Sequence, residues 1–316
     1  MRRYVLKRAA AAVVTLVLLS MLITFLMSLT PSSAGRRIAG PFASQETADA
    51  IDHDLGTDRP LPVRYVRWVG DAVTGDLGTS YNKKRPVVDI LRTALFKSGK
   101  LALFAFAVVV PLSLVGGVLS GLRRGHLIDR FISVAGLSGI AIPEFVSGIL
   151  LIYLFAIRWK LLPASANPPE HASVLTQLKH FILPASTLVI VLFGYIARMA
   201  RAGTVDASEA DYTRTATLKG LPRRLVLRRH ILRNGLLPTI AVIATQLGYL
   251  LGGLVAVERA FNYPGLGTVI LDAVNSKDFP LVQGAVLIVG TLYLLATLAA
   301  DVAFAALNPR VRLEGA

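Results

Sequence analysis

Apolar and polar residues follow one another along this chain in long blocks. Six apolar blocks approach or exceed the ~20 helical residues that cross the hydrocarbon core of a bilayer. They lie at about 9–29, 100–122, 131–157, 184–200, 237–257 and 283–307. The pattern predicts an all-α polytopic membrane protein with six transmembrane helices.

The basic residues between the blocks predict how the chain is oriented. Short segments beside the spans that are rich in Lys and Arg stay on the cytoplasmic side. This places the N-terminus, the 123–130 turn, the 201–236 loop and the C-terminal tail inside. The 31–97 segment is then extracytoplasmic, and both termini are cytoplasmic.

The predicted organisation is therefore linear. Residues 1–30 are the cytoplasmic N-terminus and first helix, 31–97 the small external segment, 98–307 the membrane core and 308–316 the tail. A cleaved signal peptide is the alternative for the first block, but its apolar part spans only ~7–15 residues. Small residues at Ser32 and Ser33 keep that alternative open.

One piece of the external segment is amphipathic. Val63, Val66 and Val69 recur at a spacing of three, with Tyr65 and Trp68 between them. Aromatic, apolar and basic residues in this pattern suit a helix at the membrane interface. A small docking subdomain fits the pattern equally well.

Composition narrows the functional class. The chain is 54% hydrophobic and 17% charged, with a net charge of +15. The charge does not indicate nucleic-acid binding, because Lys and Arg cluster at the ends of apolar blocks. There is no cysteine, which excludes disulfides and thiolate metal sites. The five histidines are scattered and match no common metal-ligand spacing.

The 201–236 loop carries the most specific pattern in the chain. Residues 206–219 favour a helix, Gly220 interrupts it, and Pro222 stands where a second helix can begin. An ordinary positive-inside loop explains the charge of the second helix. It does not explain the order helix, glycine, proline, helix, or the string from Thr215 to Gly220.

This segment resembles the cytoplasmic coupling loop of ABC import permeases. It reads Asp-Tyr-Thr-Arg-Thr-Ala-Thr-Leu-Lys-Gly-Leu over 211–221 and Leu-Arg-Asn-Gly-Leu-Leu-Pro over 232–238. The general family has Glu-Ala-Ala where Arg214, Thr215 and Ala216 stand, and a shorter distance from glycine to proline. Both departures match the peptide branch. Residues 55–65, 75–81, 261–267 and 278–284 extend the resemblance over nearly the entire chain.

The resemblance implies the type I ABC importer permease fold and a role for each part of the chain. It implies a second permease, two ATP-binding subunits and an external substrate-binding protein as partners, in the cell (inner or plasma) membrane of a prokaryote. The resemblance assigns coupling with the ATP-binding subunits to the 209–233 loop. The residues assigned to this coupling are Asp211, Arg214, Thr215, Ala216, Lys219, Gly220, Leu221, Arg224 and Arg228. The resemblance assigns contact with the binding protein to an external loop that contains Tyr263, Pro264, Gly265 and Gly267.

The chain itself is not expected to be an enzyme. No Gly-x-x-x-x-Gly-Lys-Ser/Thr phosphate loop occurs in it, so ATP and Mg²⁺ belong to the partners and no cofactor is expected here. Nor do the spans contain the paired acids, Ser–Lys pair or His-Glu-x-x-His motif of an intramembrane enzyme. An ion-gradient transporter is the nearer alternative, and a nickel chelate or haem is an alternative cargo to peptides.

Two prolines inside the apolar blocks, Pro111 and Pro143, are predicted to interrupt helices. Glu144 follows the second one directly. Ionisable groups at membrane depth usually face a cavity or a partner, and broken helices line protected space. Pro143, Glu144 and Phe145 are therefore candidates for the translocation path. A structural bond from Glu144 to a nearby serine or backbone donor is the alternative.

Overall fold

The computed structural model describes residues 2–29, 34–40 and 42–307, and these residues form helices with one isolated bridge, between Thr79 and Pro86. The shorter helices of the 31–97 segment are α2 (Ala34–Ala39), α3 (Gln45–Leu55) and α4 (Leu61–Val73), which follow α1 (Arg2–Ser28). The remaining helices are α5 (Val87–Leu122), α6 (Leu127–Ala141), α7 (Glu144–Leu151, continued by a π-helical stretch, Ile152–Arg158), α8 (Val174–Glu209), α9 (Asp211–Leu218), α10 (Arg223–Val226, continued by a π-helical stretch, Leu227–Leu232), α11 (Arg233–Gly235), α12 (Leu237–Gly253), α13 (Val255–Ala260), α14 (Leu266–Asn275) and α15 (Phe279–Leu307). The predicted features at Ser32, Ser33 and 308–316 lie outside the described residues.

Long apolar helices occupy the predicted blocks. Within the described residues, four are long and apolar enough to cross a membrane, at Arg8–Ser28, Val87–Leu122, Val174–Glu209 and Phe279–Ala299. Helix α6 and the helix over Glu144–Arg158 form a fifth candidate that is bent by 105°. The remaining predicted block holds a shorter apolar helix, Leu237–Leu250. The chain is thus a multi-pass helical membrane protein, and the count of six remains a prediction.

One prediction about the spans is wrong. Pro111 does not interrupt a helix, because α5 runs unbroken from Val87 to Leu122. Helices α5 and α8 begin before the predicted spans at residues 100 and 184, at Val87 and Val174. A break within the bilayer would expose backbone N–H and C=O groups to lipid, which is unfavourable. A membrane helix can therefore continue through a proline where neighbouring helices protect the site.

The predicted break at Pro143 is confirmed. Ile142 is extended, with φ −87° and ψ 124°, and α6 ends one residue before it. A residue that precedes proline avoids the α-helical region, because the proline ring clashes with its backbone. Helix α7 then begins directly after Pro143.

The chain separates into two compact units. The first comprises Met1–Leu6, Gly99–Tyr263 and Tyr293–Ala316, and the second comprises Lys7–Ser98 and Pro264–Leu292. The second unit contains most of α1, the helices α2, α3, α4 and α14, and the first half of α15. The predicted linear organisation stays a prediction.

Helix α8 is the centre of the first unit and packs against α6, α7, α11 and α12. Glycines allow neighbouring helices to approach it closely. A Cβ on Gly117 of α5 would lie 2.4 Å from the Ala197 oxygen, and one on Gly139 of α6 would lie 2.3 Å from the Ile190 oxygen. The main core of this unit surrounds α8 and includes Leu188, Leu192, Ile196, Leu250 and Phe261.

The second unit has its own core and one polar centre. Its core includes Val87, Leu91, Leu266, Leu281 and Ala285. The Asp278 carboxylate, before α15, accepts hydrogen bonds from the Ser80 hydroxyl and from the backbone N–H groups of Tyr81 and Asn82, both at 3.1 Å. Asp278 thus fixes the 80–82 loop to the start of α15.

The amphipathic helix predicted in the external segment is confirmed as α4. Its Tyr65 hydroxyl hydrogen-bonds the Ser20 hydroxyl of α1 at 2.8 Å. Val63 and Val66 are exposed, at 48% and 69%. Helix α4 therefore lies along α1 and leaves valines uncovered.

Candidate functional site

The basic loop between α8 and α12 folds into a compact helical hairpin, residues 203–236, which we call the coupling hairpin. The helix predicted over 206–219 is in fact two helices, because Ala210 is extended with ψ 145°. The Thr213 hydroxyl donates to the Ala207 carbonyl at 2.7 Å across this corner. That buried bond fixes α9 against the end of α8.

Gly220 makes the turn at the tip of the hairpin. Its φ is +76°, in the left-handed region that favours glycine. A Cβ placed on it would meet no atom within 4 Å. The glycine is therefore required for its backbone conformation and not for space. Pro222 caps α10 from outside the helix, one position earlier than a first helical residue.

A small apolar core holds the hairpin together. Ala207, Ala216, Val226 and Ile231 are buried in it, and Leu221 and Leu227 pack against them. Gly203 and Gly235 bring α8 and α11 into backbone contact, since a Cβ on Gly235 would lie 2.4 Å from the Gly203 oxygen. The hairpin is thus seated directly on α8.

The predicted contact residues separate into a buried set and an exposed set. Ala216 is buried and Leu221 half-buried, so these two support the hairpin from within. The side chains that the structure leaves exposed are Asp211, Arg214, Thr215, Lys219, Arg224 and Arg228, with Gly220 at the tip. Asp211, Arg214, Thr215 and Leu218 follow the spacing of one helix face.

Sequence reasoning missed two apolar residues on this exposed surface. Leu218 is 79% exposed and Tyr212 is 42% exposed. Leu218 lies four residues after Arg214, so its helical register with the predicted contact residues was the available signal. An exposed tyrosine beside an exposed arginine, as at Tyr212 and Arg214, matches the composition of protein–protein interfaces, in which both residue types are enriched.

A buried ion pair lies on α8 ahead of the hairpin. Arg201 donates from Nε and Nη2 to the two Asp129 carboxylate oxygens, at 2.6 and 2.8 Å. The Ser120 hydroxyl and the Gly125 N–H also donate to Asp129. This cluster connects the turn between α5 and α6 to α8. On the surface, Arg124 pairs with Glu209 of the hairpin itself at 2.6 Å.

The candidate path residues lie at the bend between α6 and α7. Pro143 and Phe145 are exposed and Glu144 is half-buried. The Tyr249 hydroxyl of α12 donates a hydrogen bond to the Glu144 carboxylate. The nearby Ser147 hydroxyl instead bonds the Glu144 backbone carbonyl, at 2.8 Å. The carboxylate thus has a tyrosine partner from another helix, which neither sequence alternative named.

The candidate external loop is mostly covered by the chain itself. Tyr263 is 3% exposed, and its ring packs edge-on against Phe181 with the centroids 5.7 Å apart. Gly265 and Gly267 are buried, and Pro264 is half-buried. These four residues therefore shape the loop. The exposed surface after them begins at Asp272.

Long apolar helices, a broken helix with a carboxylate at the break, and an exposed basic hairpin define a multi-pass membrane protein of the transport type. The family "Binding-protein-dependent transport system inner membrane component" matches residues 113–313, and its N-terminal component matches residues 1–98. The chain belongs to this family and is an ABC transporter permease component.

Full-length relatives agree. A "Probable peptide ABC transporter permease protein" of Sinorhizobium fredii is 32% identical over 309 residues, covering 98% of this chain and 99% of the relative. The "Glutathione transport system permease protein GsiC" of Escherichia coli is 33% identical over 314 residues, covering 99% of this chain and 100% of the relative.

Proposed function

We propose that this chain is the membrane-spanning subunit of an ATP-driven importer for peptides or similar small solutes. The observation that carries the proposal is the coupling hairpin. Its inner residues are fixed to α8, while Arg214, Leu218 and Arg224 remain exposed. A rigid projection with an unused recognition surface is suited to receive motion from a neighbouring subunit.

In the proposed mechanism, the α9 face binds a groove of a cytoplasmic ATP-binding subunit. Closure of the ATP-binding pair moves α9, and the hairpin core moves with it. The Gly203–Gly235 contact then transfers the displacement to α8, which continues to Val174. Tilting of such a helix alternates the access of a central site, as in rigid-body alternation in many transporters.

The translocation path is proposed to pass the bend at Pro143. An ionisable side chain among apolar helices is costly to keep there and marks a functional site by default. Glu144 combines a carboxylate with a tyrosine hydroxyl from α12. This pair can hold the ammonium group of a peptide during passage.

The proposed cargo is a di- or oligopeptide. The names of the two relatives, which refer to peptide and glutathione transport, support this class. A nickel chelate or haem is the alternative cargo within the same family. An ion-gradient transporter is the alternative mechanism, and coupling to ATP hydrolysis separates it from the proposal.

The proposed assembly contains a second permease, two ATP-binding subunits and an external binding protein. ATP and Mg²⁺ are bound by the partner subunits. Six spans with both termini cytoplasmic would place the coupling hairpin inside. The 31–97 segment and the 258–282 loop, with Tyr263, Pro264, Gly265 and Gly267 at its base, would face the binding protein.

Co-purification tests this function. The tagged chain, extracted in detergent, is expected to carry ATP-binding subunits with it. Leu218→Glu with Arg214→Glu is expected to lose those subunits but keep the second permease. Glu46→Lys with Asp54→Lys, on exposed external sites, is the matched control and should keep all of them. ATP-independent uptake by the intact assembly would overturn the proposal.

A further inference from the structure

The second unit contains a cleft beside α4, to which the transport proposal assigns no ligand. It has a volume of about 180 Å³ and is open on one side. Its walls come from α4, the turn after α3 and the loop before α5. Its floor includes Thr24 of α1 and Gln283 of α15, whose side chains are joined by a 2.8 Å hydrogen bond.

Three arginines, Arg59, Arg64 and Arg67, line this cleft. Among the described residues none of the three side chains forms an ion pair or a hydrogen bond. The guanidinium groups of Arg59 and Arg67 converge over Gly56, since a Cβ there would lie 3.4 Å from Arg59 Nε and 3.6 Å from Arg67 Nη1. Such a cluster provides many donors for an oxyanion.

The acids at the cleft do not neutralise the arginines. Asp71 and Asp76 also line it, which leaves more cations than anions. The Asp76 carboxylate is already used, because it accepts the Gly78 N–H at 2.8 Å. Tyr81 lies at the same cleft, and burial raises the pKa of its hydroxyl, which therefore remains protonated and can donate.

Trp68 supplies an independent indication of a missing acceptor. Its indole Nε1 is fully buried and has no hydrogen-bond partner, and the residue lines the cleft. Buried donors are nearly always satisfied, so an unpaired one beside a cleft indicates a ligand atom. Indole N–H is a donor only, which again requires an acceptor such as a phosphate oxygen.

The position of the cleft identifies the source of that acceptor. Thr24 lies four residues before Ser28, the end of α1, which corresponds to about 6 Å of helix. Helix α1 exposes most of its apolar surface, including Leu18, Leu22 and Phe25. Val63 and Val66 of α4 are exposed beside it. If α1 spans the bilayer, as its length and hydropathy indicate, the cleft beside its last turns lies at the depth of the lipid headgroups.

We propose that this cleft binds the phosphate group of an anionic phospholipid. The three arginines and the Tyr81 hydroxyl hold the phosphate, Trp68 Nε1 donates to one of its oxygens, and the acyl chains lie along α1 and the valines of α4. Helix α4 is then fixed to the membrane by a specific lipid as well as by its own apolar face.

Tryptophan fluorescence tests the proposal in the full-length chain. The sequence contains two tryptophans, so Trp159→Phe leaves Trp68 as the single reporter. This variant is placed in phosphatidylcholine nanodiscs with a minor fraction of brominated phosphatidylglycerol or brominated phosphatidylcholine. We expect the anionic lipid to quench Trp68 at least about five-fold more, which corresponds to the roughly 1 kcal/mol that a single basic residue contributes near a charged lipid.

Charge variants provide the matched comparison. Arg59→Gln, Arg64→Gln and Arg67→Gln together should abolish the preference. Lys83→Gln, Arg85→Gln and Arg92→Gln together remove the same charge from exposed positions outside the cleft and should retain it. If the first triple variant fails to insert, two single variants make the same comparison. Arg67→Gln then tests the cleft, and Arg92→Gln is its control.

The source of the phosphate is tested separately. Inorganic phosphate added to the sample should not displace the brominated anionic lipid. Displacement by inorganic phosphate would assign the cleft to a free anion and overturn the lipid proposal. Equal quenching by the two lipids, or a preference unchanged by loss of the cleft arginines, would also overturn it.

Discussion

Gly203 of α8 and Gly235 of α11 lie backbone against backbone. A Cβ placed on Gly203 would come within 1.9 Å of the Gly235 carbonyl oxygen. No side chain fits between the two helices at this level. The contact makes α8 and the coupling hairpin one mechanical piece, which is what transmission of force through the hairpin requires.

Gly203→Ala should separate these helices. Adding a methyl group where none fits costs about 1–3 kcal/mol of stability, and we expect uptake to fall more than assembly does. Thermal unfolding in detergent and substrate uptake measure the two effects. Gly99→Ala is the control, because a Cβ on Gly99 would meet nothing within 4 Å. Equal behaviour of the two variants would contradict the role of the contact.

Gly220→Val should abolish uptake while the chain still inserts. The left-handed conformation costs a residue with a Cβ about 1–2 kcal/mol, and more when it is β-branched. Gly220→Asn should retain part of the activity, since asparagine tolerates this conformation. ATPase stimulation by the loaded binding protein is the readout. Normal stimulation in the valine variant would refute the proposed role of the turn.

Glu144→Gln should lower peptide uptake. The glutamine still accepts a hydrogen bond from Tyr249 but no longer carries the charge that holds an ammonium group. Loss of a charge-assisted bond of about 1.5–3 kcal/mol predicts a decrease of roughly ten-fold or more. Tyr249→Phe, which keeps the charge, should have the smaller effect. Uptake of an N-acetylated peptide should respond less to Glu144→Gln, and an equal response would argue against the ammonium contact.

Asp129 and Arg201 should be strongly coupled in stability. Removing one partner of a fully buried pair costs ~3–5 kcal/mol of stability. The Arg201 side chain is 31% exposed, so solvent screens the charge that Asp129→Ala leaves unpaired, and we expect a loss of about 2–3 kcal/mol. Adding Arg201→Ala should recover part of the loss. A double-mutant cycle by thermal unfolding measures the coupling, with Arg198→Ala as an exposed control on the same helix. Additive effects would show that the pair does not act as a unit.

Hydropathy predicted where most of the membrane helices lie but not how far they extend. Helix α8 continues past its apolar block to Glu209, because its polar residues still favour helix once the span has nucleated it. Pro111 and Pro143 are similar signals in sequence. Only Pro143 breaks a helix, since Ile142 before it becomes extended while α5 continues through Pro111.

The candidate site was predictable only where it depends on local sequence. The resemblance located the hairpin and its turn at Gly220, both of which depend on local sequence. The burial of Tyr263 by Phe181 and the bond from Tyr249 to Glu144 depend on residues far apart in the chain. Such contacts leave no periodic signal. Leu218 was missed because its exposure depends on how α9 packs. The face of α9 that carries Ala216 is buried in the hairpin core, and Leu218 lies outside that core.

Cross-linking at Leu218 tests the central claim most directly. The chain has no cysteine, so Leu218→Cys gives it a single reactive thiol within the intact transporter. We expect it to cross-link to an ATP-binding subunit, with a yield that changes when ATP is bound. Val66→Cys, at a residue of α4 that is 69% exposed against 79% for Leu218, should give no such product. An assembly that hydrolyses ATP and imports its cargo without any cross-link from residue 218 would contradict the account.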